Sequence, residues 1–166
     1  MDGKNRIRLE KVTGKNLWEL MELRVRDDQT PFVAPNTTSI LEAYVTLSSG
    51  GQVWPFGIYD GETPVGFLMI SFGADENWEN PPPIAQGNYS LWRLMIDERW
   101  QGRGCGRQAL RLALDFIRTL PCGEAEYVWL SYEPENLAAK RLYASFGFEE
   151  LRGMMDGDEQ IALLRL

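Results

Sequence analysis

The residues best suited to chemistry lie between Ser90 and Gln108, SLWRLMIDERWQGRGCGRQ. Leu94, Met95 and Ile96 form an apolar run that suits a central strand buried on both faces. Gly102, Gly104 and Gly106 follow, just before a helical pattern begins. Glycines at such a junction remove side chains where a backbone must turn tightly and approach a ligand. The first amide N–H groups of the helix have no intrahelical acceptor, and the helix dipole places its positive end there. The junction therefore attracts anions, phosphate oxygens above all. Gln101, Gly102, Arg103, Gly104, Cys105, Gly106 and Arg107 are the candidate anion-binding residues, with Arg103 and Arg107 adding positive charge to an acidic chain.

Two phosphate-binding motifs fit this loop poorly. A nucleoside-triphosphatase loop requires Lys-Ser or Lys-Thr after its last glycine, and neither pair is present. Gly104, Gly106 and Ala109 match the dinucleotide fingerprint loosely, but that fingerprint belongs near the start of a doubly wound sheet, and only about one strand–helix unit follows here.

The inventory excludes much else. The chain has no histidine, which rules out Ser-His-Asp and Cys-His catalysis and a histidine-ligated metal. Its two cysteines, Cys105 and Cys122, stand at unrelated positions with no spacing for a zinc site or a disulfide framework, so no metal is expected and Cys105 reads as a small filler of the loop. A net charge of −7 argues against nucleic acid as a partner and favours a cationic one, although the same charge also serves solubility. No run approaches a membrane span and MDGKNRIRLE lacks the apolar core of a signal peptide, so the expectation is a cytoplasmic protein. At 166 residues it reads as one domain, 1–166.

The elements that position the loop follow from hydrophobic period. Arg6 to Val12 reads as an edge strand, Asn16 to Arg26 and Thr37 to Leu47 as helices, and Gln52 to Tyr59 with Pro64 to Phe72 as an antiparallel hairpin. Gly73 to Gly87 is long, acidic and interrupted by three prolines, the composition of a mobile excursion. After the central strand, Ala109 to Leu120 reads as a helix, Glu126 to Tyr132 as a strand and Glu135 to Phe146 as a helix stopped by Gly147. Phe148 to Leu151 and Gln160 to Leu166 read as two last strands around the turn MDGDE.

A resemblance enters through two motifs. Gln101 to Gly106 has the Q/R-x-x-G-x-G/A form of the GNAT (GCN5-related) N-acetyltransferase superfamily, and LSYEPENLAAKRLYASFGFEE (Leu130 to Glu150) resembles its second signature, a strand, an Asn, then a helix ending in L-Y-x-x-x-G-F. The pieces LRVRDDQTPFV and GIYDGETPVGF are most similar to the bacterial spermine/spermidine acetyltransferases. The resemblance implies an α/β (α+β) GNAT fold: a mixed, mostly antiparallel sheet of six to seven strands with four helices, in the order β-α-α-β-β-β-α-β-α-β-β. It implies acetyl coenzyme A as co-substrate, its pyrophosphate in the loop and its pantetheine arm against backbone N–H groups of Leu94, Met95 and Ile96. It also implies direct acetyl transfer to an amine, and a homodimer.

Within that implication Tyr143 is the general acid for the departing thiolate. Asn136, about 10 Å away on nearly the same side of the helix, holds the pantetheine. The bland alternatives are a core tyrosine and a helix cap. An alkylammonium with a pKa near 10.4 is less than about 0.1% neutral at pH 7, so a base must take its proton. Without histidine that base is a carboxylate: Glu133, or one of Asp27, Asp28 and Glu22 at the first helix, which equally read as acceptor-binding or as solvated charges. Asp75, Glu76 and Glu79 could attract a polycation at long range, or simply solvate their loop. Polyamine-type members place an acidic residue before the strand arginine; here Trp92 stands there and offers an aromatic face instead. The expected activity is N-acetylation of a small primary amine, a polyamine included. The alternatives are acyl transfer to an amino acid or a peptide N-terminal amine, or a non-catalytic acyl-coenzyme A sensor.

Overall fold

The computed structural model describes residues 6–166. Seven strands form one sheet in the order β1-β2-β3-β4-β5-β7-β6. These are β1 (Ile7–Lys11), β2 (Gln52–Asp60), β3 (Thr63–Phe72), β4 (Tyr89–Ile96), β5 (Tyr127–Tyr132), β6 (Glu149–Asp156) and β7 (Glu159–Arg165). Every neighbouring pair is antiparallel except β4 with β5. Four helices, α1 (Leu17–Met21), α2 (Asn36–Ser48), α3 (Cys105–Arg118) and α4 (Leu137–Ala144), complete the element order read from the sequence.

The two faces of the sheet bury different residues because strand side chains alternate. On β3, Leu68 and Ile70 join the core under α3, while Phe67 and Met69 join the core under α1 and α2. Helix α3 offers one stripe, Cys105, Ala109, Leu110, Ala113, Leu114 and Ile117, all buried at helical spacing. Truncating Leu110, which is fully buried, to alanine would cost about 2–5 kcal/mol.

Several boundaries differ from the sequence reading. The helix expected over Asn16 to Arg26 stops at Met21. Beyond it the chain is drawn across the end of β4: Arg24 N–H donates to Asp97 Oδ2 at 3.2 Å, and Glu98 N–H donates to the Arg24 carbonyl at 2.9 Å. A 3-10 turn over Asp27–Phe32, with Pro31 inside it, follows in the connection to α2. Helix α3 begins at Cys105 rather than Ala109, because Gly104 adopts a left-handed φ of 80° and starts the helix directly behind it. Cys105, Gly106 and Arg107 are therefore the first helical turn and not loop.

The excursion over Gly73 to Gly87, expected to be mobile, is pinned. Ala85 is fully buried in a short 3-10 turn, and Trp78 stacks on Trp129 with ring centroids 6.2 Å apart. Strand β6 runs to Asp156 instead of ending at Leu151, with its register against β7 shifting between Glu150 and Met155. A bulge of this kind hides strand continuity from a period-two reading. In β4 only Tyr89, Ser90, Leu91 and Met95 are buried; Trp92, Arg93, Leu94 and Ile96 are half-buried. A cleft explains the exception.

Candidate active site

The cleft arises where β4 and β5 part. Their parallel pairing is confined to Tyr89 opposite Val128 and Ser90 opposite Trp129. Opposite β3, Met69 faces Arg93 and Ile70 faces Leu91, so Trp92 is the extra residue of a bulge. A bulge bends the strand that carries it, and from there β4 runs without a ladder partner on its β5 side. The resulting opening is part of a cavity of about 1160 Å³. Leu94, Met95 and Ile96 line it, as do Trp92, Arg93 and Ser131.

At one end sits the glycine loop. Gly102 and Gly104 have φ values of 73° and 80°, and a Cβ built on either meets no atom within 4 Å. Gly106 differs: its φ is ordinary, and a Cβ there would lie 3.6 Å from Ile96 in normal contact. The opening amides of α3 follow immediately, so an open, side-chain-free surface meets the positive end of a helix of 14 residues. That surface fits a diphosphate. Gln101, Gly102, Gly104, Cys105 and Gly106 line the cavity. Arg103 and Arg107 are placed beside it: Arg103 lies over the Trp100 ring at 4.8 Å, and Arg107 donates to Ser145 Oγ at 2.8 Å. Burial pushes the Cys105 thiol up, which is the opposite of an activated nucleophile.

Gln101 also ties the loop to the α1–α2 connection. Its Nε2 donates to the Ile96 carbonyl at 2.9 Å and to Gln29 Oε1 at 2.8 Å, while Gln29 Nε2 and Arg26 Nη1 donate to Gln101 Oε1 at 3.1 and 2.8 Å. Gln29 escaped the sequence reading. Nothing in DDQTPF marks one glutamine as the partner of another 72 residues later.

Helix α4 forms the other wall. The Asn136 side-chain oxygen accepts from Ala139 N–H at 3.2 Å and so caps the helix, leaving its amide Nδ2 to donate elsewhere; Asn136 and Tyr143 both line the cavity. The Tyr143 ring packs between Tyr132 and Phe148, at 5.8 and 5.9 Å. The Tyr132 hydroxyl is engaged, donating to Glu150 Oε1 at 2.7 Å. No such bond occupies the Tyr143 hydroxyl among the described residues, and burial, followed by the charge of Glu159, raises its pKa above the ordinary tyrosine value.

The third wall is acidic. Glu133 follows β5, Asp156 ends β6, Glu159 opens β7, and Asp158 lies in the turn between them; all four line the cavity. Glu133 Oε2 is buried without a hydrogen-bond partner among the described residues. Burial pushes the Glu133 carboxyl up, and the Glu159 carboxylate pushes it further. The stacked Trp78 and Trp129 line the same cavity, as does Asp75 from the 73–87 segment. Asp156, Asp158 and Glu159 were legible only as a turn, because their place in the same cavity wall as Glu133 depends on the sheet order. Of the carboxylates singled out earlier, Asp27, Asp28 and Glu22 are exposed and outside the residues lining the cavity; Asp28 is paired with Arg26 at 3.2 Å.

Comparison with known proteins finds likeness in both sequence and fold. The model of the acetyltransferase (GNAT) family matches residues 17–148. The spermine/spermidine N(1)-acetyltransferase of Bacillus subtilis strain 168 is 27% identical over 143 residues, covering 86% of this chain and 88% of the relative. The N-alpha-acetyltransferase RimI of Mycobacterium tuberculosis is 35% identical over 132 residues, covering 78% and 68%. Among solved structures, aminoglycoside acetyltransferase AAC(6')-Ib in complex with coenzyme A superposes with a TM-score of 0.73 at 20% identity, covering 96% of this chain and 94% of that one. The PaiA N-acetyltransferase of Thermoplasma acidophilum in complex with coenzyme A gives 0.67 at 16% identity, covering 96% and 99%.

The chain belongs to the GNAT acetyltransferase family. It is therefore an acetyltransferase, and the loop, strand and helix just described have the shape and charge to hold the diphosphate and arm of a coenzyme A thioester.

Proposed function

We propose that this single-domain chain acetylates a primary amine of a small molecule that carries more than one positive charge, a polyamine being the leading candidate. The observation that carries this reading is the lining of the cleft, which includes Glu133, Asp156, Asp158 and Glu159 together with the stacked Trp78 and Trp129. Carboxylates together with aromatic faces are the complement of an alkylammonium. The relatives whose names mention polyamines support the same class.

Acetyl coenzyme A supplies an acetyl carbon activated as a thioester. The rest falls to side chains and backbone of this protein. Gly102 to Arg107 bind the diphosphate through backbone N–H groups, and Leu94 to Ile96 offer amides to the pantetheine, whose amide group also accepts from Asn136. Past the bulge at Trp92, a strand N–H is free to stabilise the oxygen that gains charge.

Glu133 takes one proton from the acceptor ammonium and later yields it to solvent. Tyr143 gives its phenolic proton to sulfur as the C–S bond breaks, and regains a proton from nitrogen as the C–N bond forms. One ammonium proton thus reaches solvent, one replaces that given to the thiol, and one stays on the amide. The raised pKa of Glu133 matches a base that must compete for an ammonium proton near neutrality.

The setting we infer is cytoplasmic; no helix among the described residues is long and apolar enough to cross a membrane. Exposed Trp18, Leu41, Tyr44 and Leu47 on α1 and α2 favour a homodimer. A second reading, transfer to a peptide N-terminal amine, is favoured by RimI. Free-thiol release from acetyl coenzyme A with spermidine, an aminoglycoside and a short peptide separates them. Spermidine should be the best acceptor, and release with the peptide alone would replace this reading with the second.

A further inference from the structure

Three elements bring carboxylates to the acceptor end, yet Glu159 alone bears on both groups to which proton transfer is assigned above. The Ser131 hydroxyl, two residues before Glu133 on the same chain segment, hydrogen-bonds Glu159 Oε2 and seats that carboxylate in the cleft wall. Glu133 after β5, Asp156 at the end of β6 and Tyr143 on α4 line the same cavity as Glu159, and the charge of Glu159 acts on all three. Glu135, in the segment before α4, is the other charge acting on Glu133, and Asp158 completes the acidic rim. Glu133 Oε2 has no donor among the described residues, so one oxygen of this carboxyl is left to take a proton. Adjacent carboxyls do not ionise independently: the first proton bound is shared, and its addition reduces the charge of the pair as a whole.

We propose that Glu159 couples the base to the acid: the proton that Glu133 takes from the acceptor is shared with Glu159, which weakens the negative charge facing the Tyr143 hydroxyl while the sulfur departs. This rests on the transferase reading above. The proton moves from acceptor nitrogen to a carboxyl oxygen, and no electrons change hands. The order of events follows from the charges. With both carboxylates ionised, Tyr143 holds its proton most firmly, so the acid stays intact until an acceptor has been deprotonated. With the pair singly protonated, the phenol gives its proton up more readily, which is when the leaving sulfur needs it. Glu159 is a positioning residue in this scheme: it meets neither acceptor nor thioester directly and acts through the proton it shares with Glu133 and through its charge on Tyr143.

The test needs no turnover. Side-chain carboxyl resonances of 13C-glutamate-labelled protein are titrated in the wild type, Glu159→Gln and Glu159→Asp. Glu159→Gln keeps a group for Ser131 to bond while removing the charge; it should lower the Glu133 midpoint by about one pH unit. The acidic limb of the kcat profile should fall with it, and plateau kcat should drop several-fold at unchanged coenzyme A affinity. Glu159→Asp should restore both. An unmoved Glu133 midpoint, or a plateau kcat equal to wild type, overturns the coupling. Should Glu159→Gln not fold, the wild type decides: a two-step Glu133 titration supports the coupling and a single step overturns it. Failure of every amine to release thiol sinks the transferase reading and the coupling together; thiol release with a single-step Glu133 sinks the coupling alone.

Discussion

Gln29 and Gln101 hold each other by a reciprocal pair of amide hydrogen bonds, 2.8 and 3.1 Å long. The first residue of the diphosphate loop is thereby fastened to the segment that walls the cavity between α1 and α2, and to the end of β4 through the Ile96 carbonyl at 2.9 Å. Each neutral hydrogen bond contributes about 1 kcal/mol. Gln101→Leu should therefore weaken coenzyme A binding by about fivefold or more, measured by calorimetry. Gln29→Leu, which lies outside the loop, should weaken it in the same direction by less. The double variant should fall short of the sum, since both changes break one network.

Tyr143→Phe keeps the ring between Tyr132 and Phe148 and removes only the hydroxyl. We expect plateau kcat to fall at least about tenfold, with Tm and coenzyme A affinity little changed. Steady-state rates alongside calorimetry check the split. An unchanged kcat would remove Tyr143 from the role of acid.

The glycines of the loop separate by conformation. Gly104→Ala forces an alanine to φ near 80° and should cost about 1–2 kcal/mol, read as a lower Tm together with weaker diphosphate binding. Gly106→Ala adds a methyl group in ordinary contact with Ile96 and should leave Tm nearly unchanged. Any loss of coenzyme A affinity in that variant then reports a direct clash with the ligand.

Asp97 contributes to the pH dependence of stability. The carboxylate is only 1% exposed, and burial alone would raise its pKa. Hydrogen bonds from the Arg99 guanidinium, at 2.7 and 3.2 Å, and from the Arg24 and Arg99 backbone N–H groups outweigh burial and hold it below the ordinary aspartate value. A folded-state pKa below the unfolded one means that the contribution is present above the ordinary value and lost as pH falls through the lowered one. Asp97→Asn should cost about 1.5–3 kcal/mol near neutrality and flatten the acid side of a Tm–pH curve. Urea midpoints at two pH values measure it.

These residues also show what a sequence can disclose. The glycine loop was legible because glycines at a strand–helix junction mark it locally, whereas Tyr143 and Asn136 were expected through the second motif of the resemblance and Glu133 because it follows the strand of that motif. Strand and helix order followed from hydrophobic period, which is also local. Helix α1 was drawn too long because Val25 keeps a helical spacing from Met21, while the Asp97 hydrogen bond that holds the chain there comes from the end of β4, 73 residues away. Glu159 and Asp156 were invisible as site residues because they reach Glu133 only through the placement of β7 beside β5 in the sheet. The bulge at Trp92 has no local signature either, since it exists only in the register of β4 against β3.

The central claim is that the gap between β4 and β5 delivers a thioester to Tyr143. A crystal structure with acetyl coenzyme A tests it most directly. The account predicts the diphosphate on the backbone N–H groups of Gly102 to Arg107, the pantetheine along Leu94 to Ile96, and the sulfur within about 3.5–4 Å of the Tyr143 hydroxyl. A donor bound elsewhere, or a sulfur facing away from Tyr143 with that hydroxyl bonded to the protein itself, would contradict it.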